Sequence, residues 1–261
     1  MGEAVRYPLI DSEKCVGCML CARACAHGVL SVGEGEVQIN RKNRCFLCMH
    51  CAAVCPEGAV SFDYEAINIG SAPTAESPVE KLILKRRSVR HYKAEAPDRK
   101  IIERAIALSQ WGPSARNEHK IKWIVISDRE LADTMADELV QMCAASNQHP
   151  NLVRSRRNGV HPANFAAPYI ILATMPRDAY DPPVDCAIAV SLLEILLNEQ
   201  GISTCWLGYF QRLLSAHPQY MEKIGIAKNY GIYAAIAAGF ADEPEYRIPP
   251  RPDADILWID K

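Results

Sequence analysis

No apolar run in this 261-residue chain is long enough to cross a bilayer. The longest, AIAVSLLEILL at 187–197, carries Glu194, and a spanning helix needs about 20 apolar residues. Charge of one sign is equally scarce. The 29 Lys and Arg against 31 Asp and Glu leave a net charge of -2, with none of the basic excess that nucleic acid requires. The opening MGEAVRYPLIDSEK has no apolar core of the signal-peptide kind, so a cytoplasmic protein without a disulfide framework is expected. Gly-x-Gly-x-x-Gly does not occur, which excludes the dinucleotide-binding turn of that type. The first 65 residues or so are also short of apolar side chains for a core of their own.

Cysteine is abundant. Eight of the eleven cysteines form two copies of one run, Cys15, Cys18, Cys21, Cys25 and then Cys45, Cys48, Cys51, Cys55, repeated after 30 residues. Few chemistries need four thiolates so close, and this spacing is the bacterial ferredoxin run for four-iron four-sulfur clusters. In such runs the fourth cysteine crosses to the other cluster. Cys15, Cys18, Cys21 and Cys55 are therefore expected on one cluster, and Cys45, Cys48, Cys51 and Cys25 on a second. Pro56 follows the second run, whereas Ala26 follows the first, a departure that removes no ligand. Zinc is the competing reading, but zinc sites favour paired Cys-x-x-Cys knuckles over runs of four. Between the runs, VLSVGEGEVQI reads as two short strands joined by a Gly-Glu-Gly turn. Residues 1–69 thus form a small module that draws much of its stability from its clusters.

Residues 70–78, GSAPTAESP, have linker composition, and 79–261 is expected to be one larger domain. There 79–87, 98–109 and 128–145 read as helices, with an apolar stripe of Ile101, Ile102, Ala105, Ile106 and Leu108 on the second. Residues 121–127, 168–174 and 232–239 read as strands. Residues 146–165 read as a loop or broken helix. Asp185 to Gln200 is helical and apolar nearly all round, stopped by Gly201, and belongs at the centre of a core or an interface between copies. This order predicts an α+β domain with an antiparallel or mixed sheet.

Three stretches of this domain carry candidate chemistry. Arg86, Arg87, Ser88 and Arg90, in RRSVR, offer forked donors that match phosphate oxygens. Taken alone, a solvated basic helix end is the plainer reading. Pro113, Ser114, Ala115 and Asn117, in WGPSARNEH, form a polar turn before a strand, and an asparagine amide pairs with donors and acceptors of a flat heterocycle. Alone, an ordinary loop explains it as well. In GISTCWLGYF, glycine lets backbone approach a ligand closely. Cys205, like Cys143 and Cys186, reads as a small buried side chain.

Together with KRRSVRHYKAEAPDR, DCAIAVSLLEILLNEQGISTCWLGYF and GFADEPEYRIPPR, these stretches resemble the nitroreductase family of FMN-dependent oxidoreductases. The whole chain resembles the ferredoxin–nitroreductase fusions within it. The resemblance implies an antiparallel-rich sheet flanked by helices, a homodimer, and FMN at the dimer interface. It implies that Arg86, Arg87, Ser88 and Arg90 hold the FMN phosphate, with Arg247 or Arg251 adding a second contact. Pro113, Ser114, Ala115 and Asn117 would reach the flavin from the other subunit, and Cys205, Trp206, Leu207 and Gly208 would line its ring. Where the family has glutamine and then proline after the asparagine, this chain has His119 and Lys120. His119 is thus a candidate proton donor or a space-filling replacement.

The expected function is an oxidoreductase that passes electrons between two four-iron four-sulfur clusters, FMN and a small flat acceptor such as a nitroaromatic, a quinone or an activated double bond. The donor would be an external ferredoxin or NAD(P)H. The alternative is a non-enzymatic carrier or redox sensor serving a protein partner. Arg154, Arg156 and Arg157, within a candidate lid at 141–165, read either as a lure for anionic substrates or as a solvated basic face.

Overall fold

The computed structural model describes residues 6–64, 72–157, 161, 163–244 and 247–259. Gly70 and Ser71 of the expected linker, and positions 158–160 and 162 of the expected lid, lie outside them. The chain divides into two compact units, residues 1–85 with 243–261, and residues 86–242. Among the described residues no helix is long and apolar enough to cross a membrane.

The first unit is built on a repeat. Strand β1 (Leu9–Ile10) pairs antiparallel with β4 (Val60–Ser61), and β2 (Leu30–Gly33) pairs with β3 (Glu36–Ile39). The β2–β3 turn is Glu34-Gly35, at φ 48° and 84°. Two positive φ values in a two-residue loop match the twist of a hairpin, and glycine meets this demand without a Cβ penalty. Between the strands lie two single helical turns, α1 (Leu20–Arg23) and α2 (His50–Ala53), which carry Cys21 and Cys51. Each follows a left-handed methionine, Met19 at φ 62° and Met49 at φ 58°. The interior mixes Leu30, Met49, Ala59, Val60 and Phe62 with cysteine sulfur. Helix α3 (Pro78–Lys85) and residues 243–261 also belong to this unit, whereas the sequence divided the chain at 70–78 and gave both to the second domain. The C-terminal segment is held by Arg247, whose amide donates to the Ala53 carbonyl at 3.2 Å.

In the second unit the chain runs α4 (Arg99–Ser109), β5 (Lys122–Ile126), α5 (Arg129–Ala145), α6 (Pro150–Arg157), β6 (Tyr169–Pro176) and α7 (Pro182–Glu199). It continues through β7 (Ser203–Trp206), α8 (Gly208–Ala216), α9 (Pro218–Lys223) and β8 (Tyr230–Gly239). Asp98 and Asp128 cap α4 and α5, accepting from the Lys100 and Leu131 amides at 2.9 and 3.0 Å. That satisfies donors a helix start leaves open. The sheet order is β5-β6-β8-β7, with every pairing antiparallel.

Alternation decides which helices cover which face. Ile170 and Leu172 of β6 join Ala235 and Ala237 of β8 in a core with α5 and α8. Ile171 and Ala173 join Ala234, Ile236 and Ala238 in a second core with α4 and α7. Both central strands are buried on both faces, as an α+β sheet with helices on each side requires. The helix read at 79–87 stops at Lys85 because the chain from Arg86 turns to lie beside β7. Helix α7 begins three residues before Asp185, since Pro182 and Pro183 fill its first turn, where a missing N–H costs nothing. It ends at Gly201, φ 72°, with the Ile202 amide bonded back to the Leu197 carbonyl at 2.9 Å. Strand β7 and helices α8 and α9 lie where the sequence reading proposed no element.

Leu193 of α7 is fully buried in the core it shares with β6 and β8. Leu193→Ala is expected to cost about 3 kcal/mol of unfolding free energy by lost burial and a residual cavity. Denaturant titration checks this, and a cost under about 1 kcal/mol would contradict the packing described.

Candidate functional site

The cysteines separate into two sets. Cys15, Cys18, Cys21 and Cys55 line one cavity with Ile10, Val16 and Val60. Cys25, Cys45, Cys48 and Cys51 line another with Val29, Phe46 and Phe62. The last cysteine of each run therefore faces the other run's cavity. The repeat extends to hydrogen bonds: Cys25 Sγ accepts from the Val29 amide, and Cys55 Sγ from the Ala59 amide, each at 3.2 Å. Burial pushes the Cys21 thiol up to about 11 and the Cys51 thiol well above its ordinary value, with neighbouring sulfurs adding to the effect. Among the described residues no three His, Cys, Asp or Glu groups converge tightly enough for a single metal ion. A cubane makes no such demand, because each of its four irons takes its own thiolate, and the four sulfurs of each cavity fit that group. Arg247 reaches the same place: its guanidinium donates to the Cys55 carbonyl, and to the Pro56 carbonyl at 2.9 Å.

In the second unit the RRSVR segment runs beside β7. Ser88 bridges Thr204 in parallel fashion, and the Val89 amide donates to the Thr204 carbonyl at 3.0 Å. This pairing brings Arg86, Arg87, Ser88 and Arg90 up to Cys205, Trp206, Leu207 and Gly208. Arg87 is buried, and the Arg86 side chain is one-third exposed. Arg90 donates to the Ser88 carbonyl at 3.1 Å and lies 5.7 Å from the Phe165 ring centroid. Beneath them sits Glu194 of α7, 4% exposed. Its Oε1 accepts from the Thr204 hydroxyl at 2.7 Å and lies 3.5 Å from Arg86 Nη1, while its Oε2 accepts from Trp206 Nε1 at 2.7 Å.

Burial raises the Cys205 thiol, against the opposing pull of the Arg90 charge, and also raises Cys143 and, to about 12, Cys186. None of the three has the activated thiolate of a nucleophile. Among the described residues the buried Tyr92 hydroxyl has no hydrogen-bond partner, and burial drives it well above its usual range, with the Arg90 charge pulling it back. Three guanidinium groups, a serine hydroxyl and a nearby unspent phenol form a donor set suited to a phosphate ester carrying a polyol.

The other candidate turn lies apart. Helix α4 ends at Ser109, and the chain crosses α7 at Gly112, where an added Cβ would come within 2.8 Å of Leu192. Past Pro113, the Ala115 amide donates to Asp185 Oδ1 at 2.8 Å. The Asn117 amide donates to the Ser114 carbonyl at 2.9 Å. The His119 amide donates to Ser114 Oγ at 3.1 Å, and its Nε2 lies 2.8 Å from Asn117 Oδ1. Arg116, Asn117 and His119 all have positive φ, so the turn is tightly wound. Among the described residues the buried Asp185 Oδ2 has no hydrogen-bond partner. Asp185 and Glu194 stand nine residues apart on α7, about 13 Å along its axis. The phosphate-type donors and the Pro113–His119 turn are therefore two separate places within one chain.

Sequence reading missed Glu194, Tyr92 and Asp185 as site residues. Arg247, expected at the phosphate, is engaged instead in the first unit with the carbonyls of Cys55 and Pro56, and Arg251 is exposed. Of the three arginines at 154–157, Arg156 is paired with Asp137, Nη2 to Oδ2 at 2.6 Å, which holds that carboxyl below its ordinary value. Arg154 and Arg157 are exposed.

Residues 83–240 match the nitroreductase family. The chain belongs to that family. Residues 14–59 match the 4Fe-4S dicluster domain, so this nitroreductase is an oxidoreductase with an N-terminal iron–sulfur module. A protein of Archaeoglobus fulgidus, provisionally named NADH dehydrogenase/NAD(P)H nitroreductase, is 25% identical over 170 residues, covering 64% of this chain and 87% of its own. A nitroreductase of Desulfitobacterium hafniense with bound FMN superposes with a TM-score of 0.62 at 21% identity, over 71% of this chain and all of its own. One from Bacteroides fragilis with bound FMN also gives 0.62, at 18% identity and the same coverage. These likenesses extend the family match to the fold.

Arg247→Ala frees the C-terminal segment from the Cys55–Pro56 carbonyls and loosens one cysteine loop. Iron loss to a chelator is expected to accelerate by about two- to fivefold, the scale of one or two hydrogen bonds. The flavin-to-protein ratio should stay unchanged, and iron release at the wild-type rate would refute the tether.

Proposed function

We propose that this nitroreductase binds FMN at the Arg86–Arg90 segment and passes electrons between two four-iron four-sulfur clusters, the flavin and a small flat acceptor. Bound FMN supplies the step between single-electron and two-electron chemistry. The observation that carries the reading is the pairing of Ser88 and Val89 with Thr204, which sets anion-binding donors beside the Cys205–Gly208 stretch. The FMN bound by the Desulfitobacterium hafniense and Bacteroides fragilis relatives supports the choice of flavin.

On this reading Arg86, Arg87, Ser88 and Arg90 hold the phosphate, and Cys205, Trp206, Leu207 and Gly208 border the ring. The family resemblance would add Arg251 as a further phosphate contact. Pro113, Ser114, Ala115 and Asn117 act on the flavin of a second copy, which the distance between the two places along α7 favours. His119, fixed by Ser114 and Asn117 and exposed to solvent, is a proton donor to substrate. The clusters are held by Cys15, Cys18, Cys21 and Cys55, and by Cys25, Cys45, Cys48 and Cys51. Electrons enter from a low-potential donor, ferredoxin or NAD(P)H, and leave to a nitroaromatic, a quinone or an activated double bond.

Val16 and Phe46 are two-thirds or more exposed beside the two cysteine cavities. Apolar side chains at that place favour a protein redox partner at the clusters. They support a ferredoxin donor or, in the second reading, a carrier that serves a protein.

Two measurements test this. Stopped-flow mixing of protein reduced by NADH, NADPH or reduced ferredoxin with a nitroarene should reoxidise the flavin within a turnover. Reduced flavin that ignores every small acceptor but reacts with a redox protein selects the carrier. Arg86→Ala and Ser88→Ala should each weaken FMN binding, by about tenfold for the arginine, with iron content unchanged. Loss of iron in parallel would count against the phosphate assignment.

A further inference from the structure

We infer that Glu194 is a positioning residue that holds the Arg86 guanidinium for the flavin phosphate and links it to Trp206 at the ring end. The inference rests on the flavin reading above and adds a residue to it. Glu194 lies inside α7 between Leu193 and Ile195, with side-chain exposure of 6%. A carboxylate there loses its water and must recover the cost from its neighbours.

Its side-chain partners among the described residues, Thr204, Trp206 and Arg86, come from the two segments of the candidate site. Thr204 is also the residue whose carbonyl receives the Val89 amide and whose backbone bridges Ser88. One buried side chain thus braces β7, the indole and the first arginine of RRSVR. A leucine would suit the packing of α7 alone, but it would leave the Thr204 hydroxyl and the indole N–H without their acceptor.

The geometry at Arg86 favours positioning over neutralisation. Glu194 approaches one nitrogen at 3.5 Å, and a guanidinium has five donors. The rest of the fork, on a side chain one-third exposed, stays open to an anion. Without Glu194 the Arg86 side chain gains rotamer freedom that phosphate binding must then remove. Arg90 continues to supply positive charge, so removing the carboxylate costs orientation more than it relieves repulsion.

The test uses the full chain with its iron–sulfur module intact and its flavin removed, titrated with FMN and with riboflavin, which lacks the phosphate. Glu194→Gln preserves shape and can still accept from Trp206 Nε1, but it loses the charged hold on Arg86. FMN affinity should fall about tenfold, the scale of one charge-assisted hydrogen bond, with riboflavin affinity constant to within about twofold. In an Arg86→Ala background Glu194→Gln should have no further effect on FMN. Glu194→Asp, which keeps the charge but withdraws it by one methylene, should also lose FMN affinity selectively, and serves if the glutamine variant does not fold.

Unchanged or tighter FMN binding overturns the inference. So does an equal loss of FMN and riboflavin, which marks a purely structural residue. Both outcomes leave the flavin reading standing. Wild-type protein that binds neither flavin removes that reading and this inference with it.

Discussion

A carboxylate buried on the inner side of a helix has lost its water and must recover the cost from neighbouring segments. Helix α7 packs against α4, β6, β7 and β8, yet it holds two carboxylates, Asp185 at 3% exposure and Glu194 at 4%. Each fastens a different segment. Asp185 holds the backbone of the turn after Pro113, and Glu194 holds β7 and the first arginine of RRSVR. The sheet supplies a rigid floor, since β6 and β8 are buried on both faces. The irregular segments that carry the donors are fixed to that floor through one helix, so the site inherits the order of the core.

The first unit solves a different problem. Its interior mixes cysteine sulfur with hydrocarbon, and apolar burial alone contributes little in so small a body. Buried thiols also resist ionisation, as the raised values at Cys21, Cys45 and Cys51 show. Iron is what makes such a lining favourable, because it takes the sulfur as thiolate and couples binding to folding. Arg247 adds a tie from the far end of the chain to the carbonyls next to Cys55.

Much of this architecture was legible in the residues. The cysteine spacing announced the iron–sulfur module, the Gly-Glu-Gly turn marked the hairpin, β-branched content marked β5, and the strands read at 168–174 and 232–239 fall on β6 and β8. The all-round apolar pattern of α7 placed it at a centre. What escaped had physical reasons. Ser203–Trp206 is too short for a period to show, and its strand character comes from pairing with β8. Glu194 is one acid in an apolar run, where spacing says nothing about what it faces. The Tyr92 hydroxyl is notable only through its burial. Arg247 meets backbone carbonyls 191 and 192 positions away, and a carbonyl leaves no mark on a sequence. The arginines of RRSVR were recognisable as anion donors, but their neighbours became known only once Ser88 was seen against Thr204.

The exchange of Cys25 and Cys55 between the two cysteine cavities bears on how the protein is made. While the ribosome is still upstream of Cys45, the emerging polypeptide owns three sulfurs for the first cavity and a single stray one for the second. The second set becomes whole when Cys51 is added, and the first only when Cys55 follows. The two sets reach full count four residues apart, at Cys51 and Cys55. A nascent chain that ends before Cys51 therefore presents no complete set of four sulfurs.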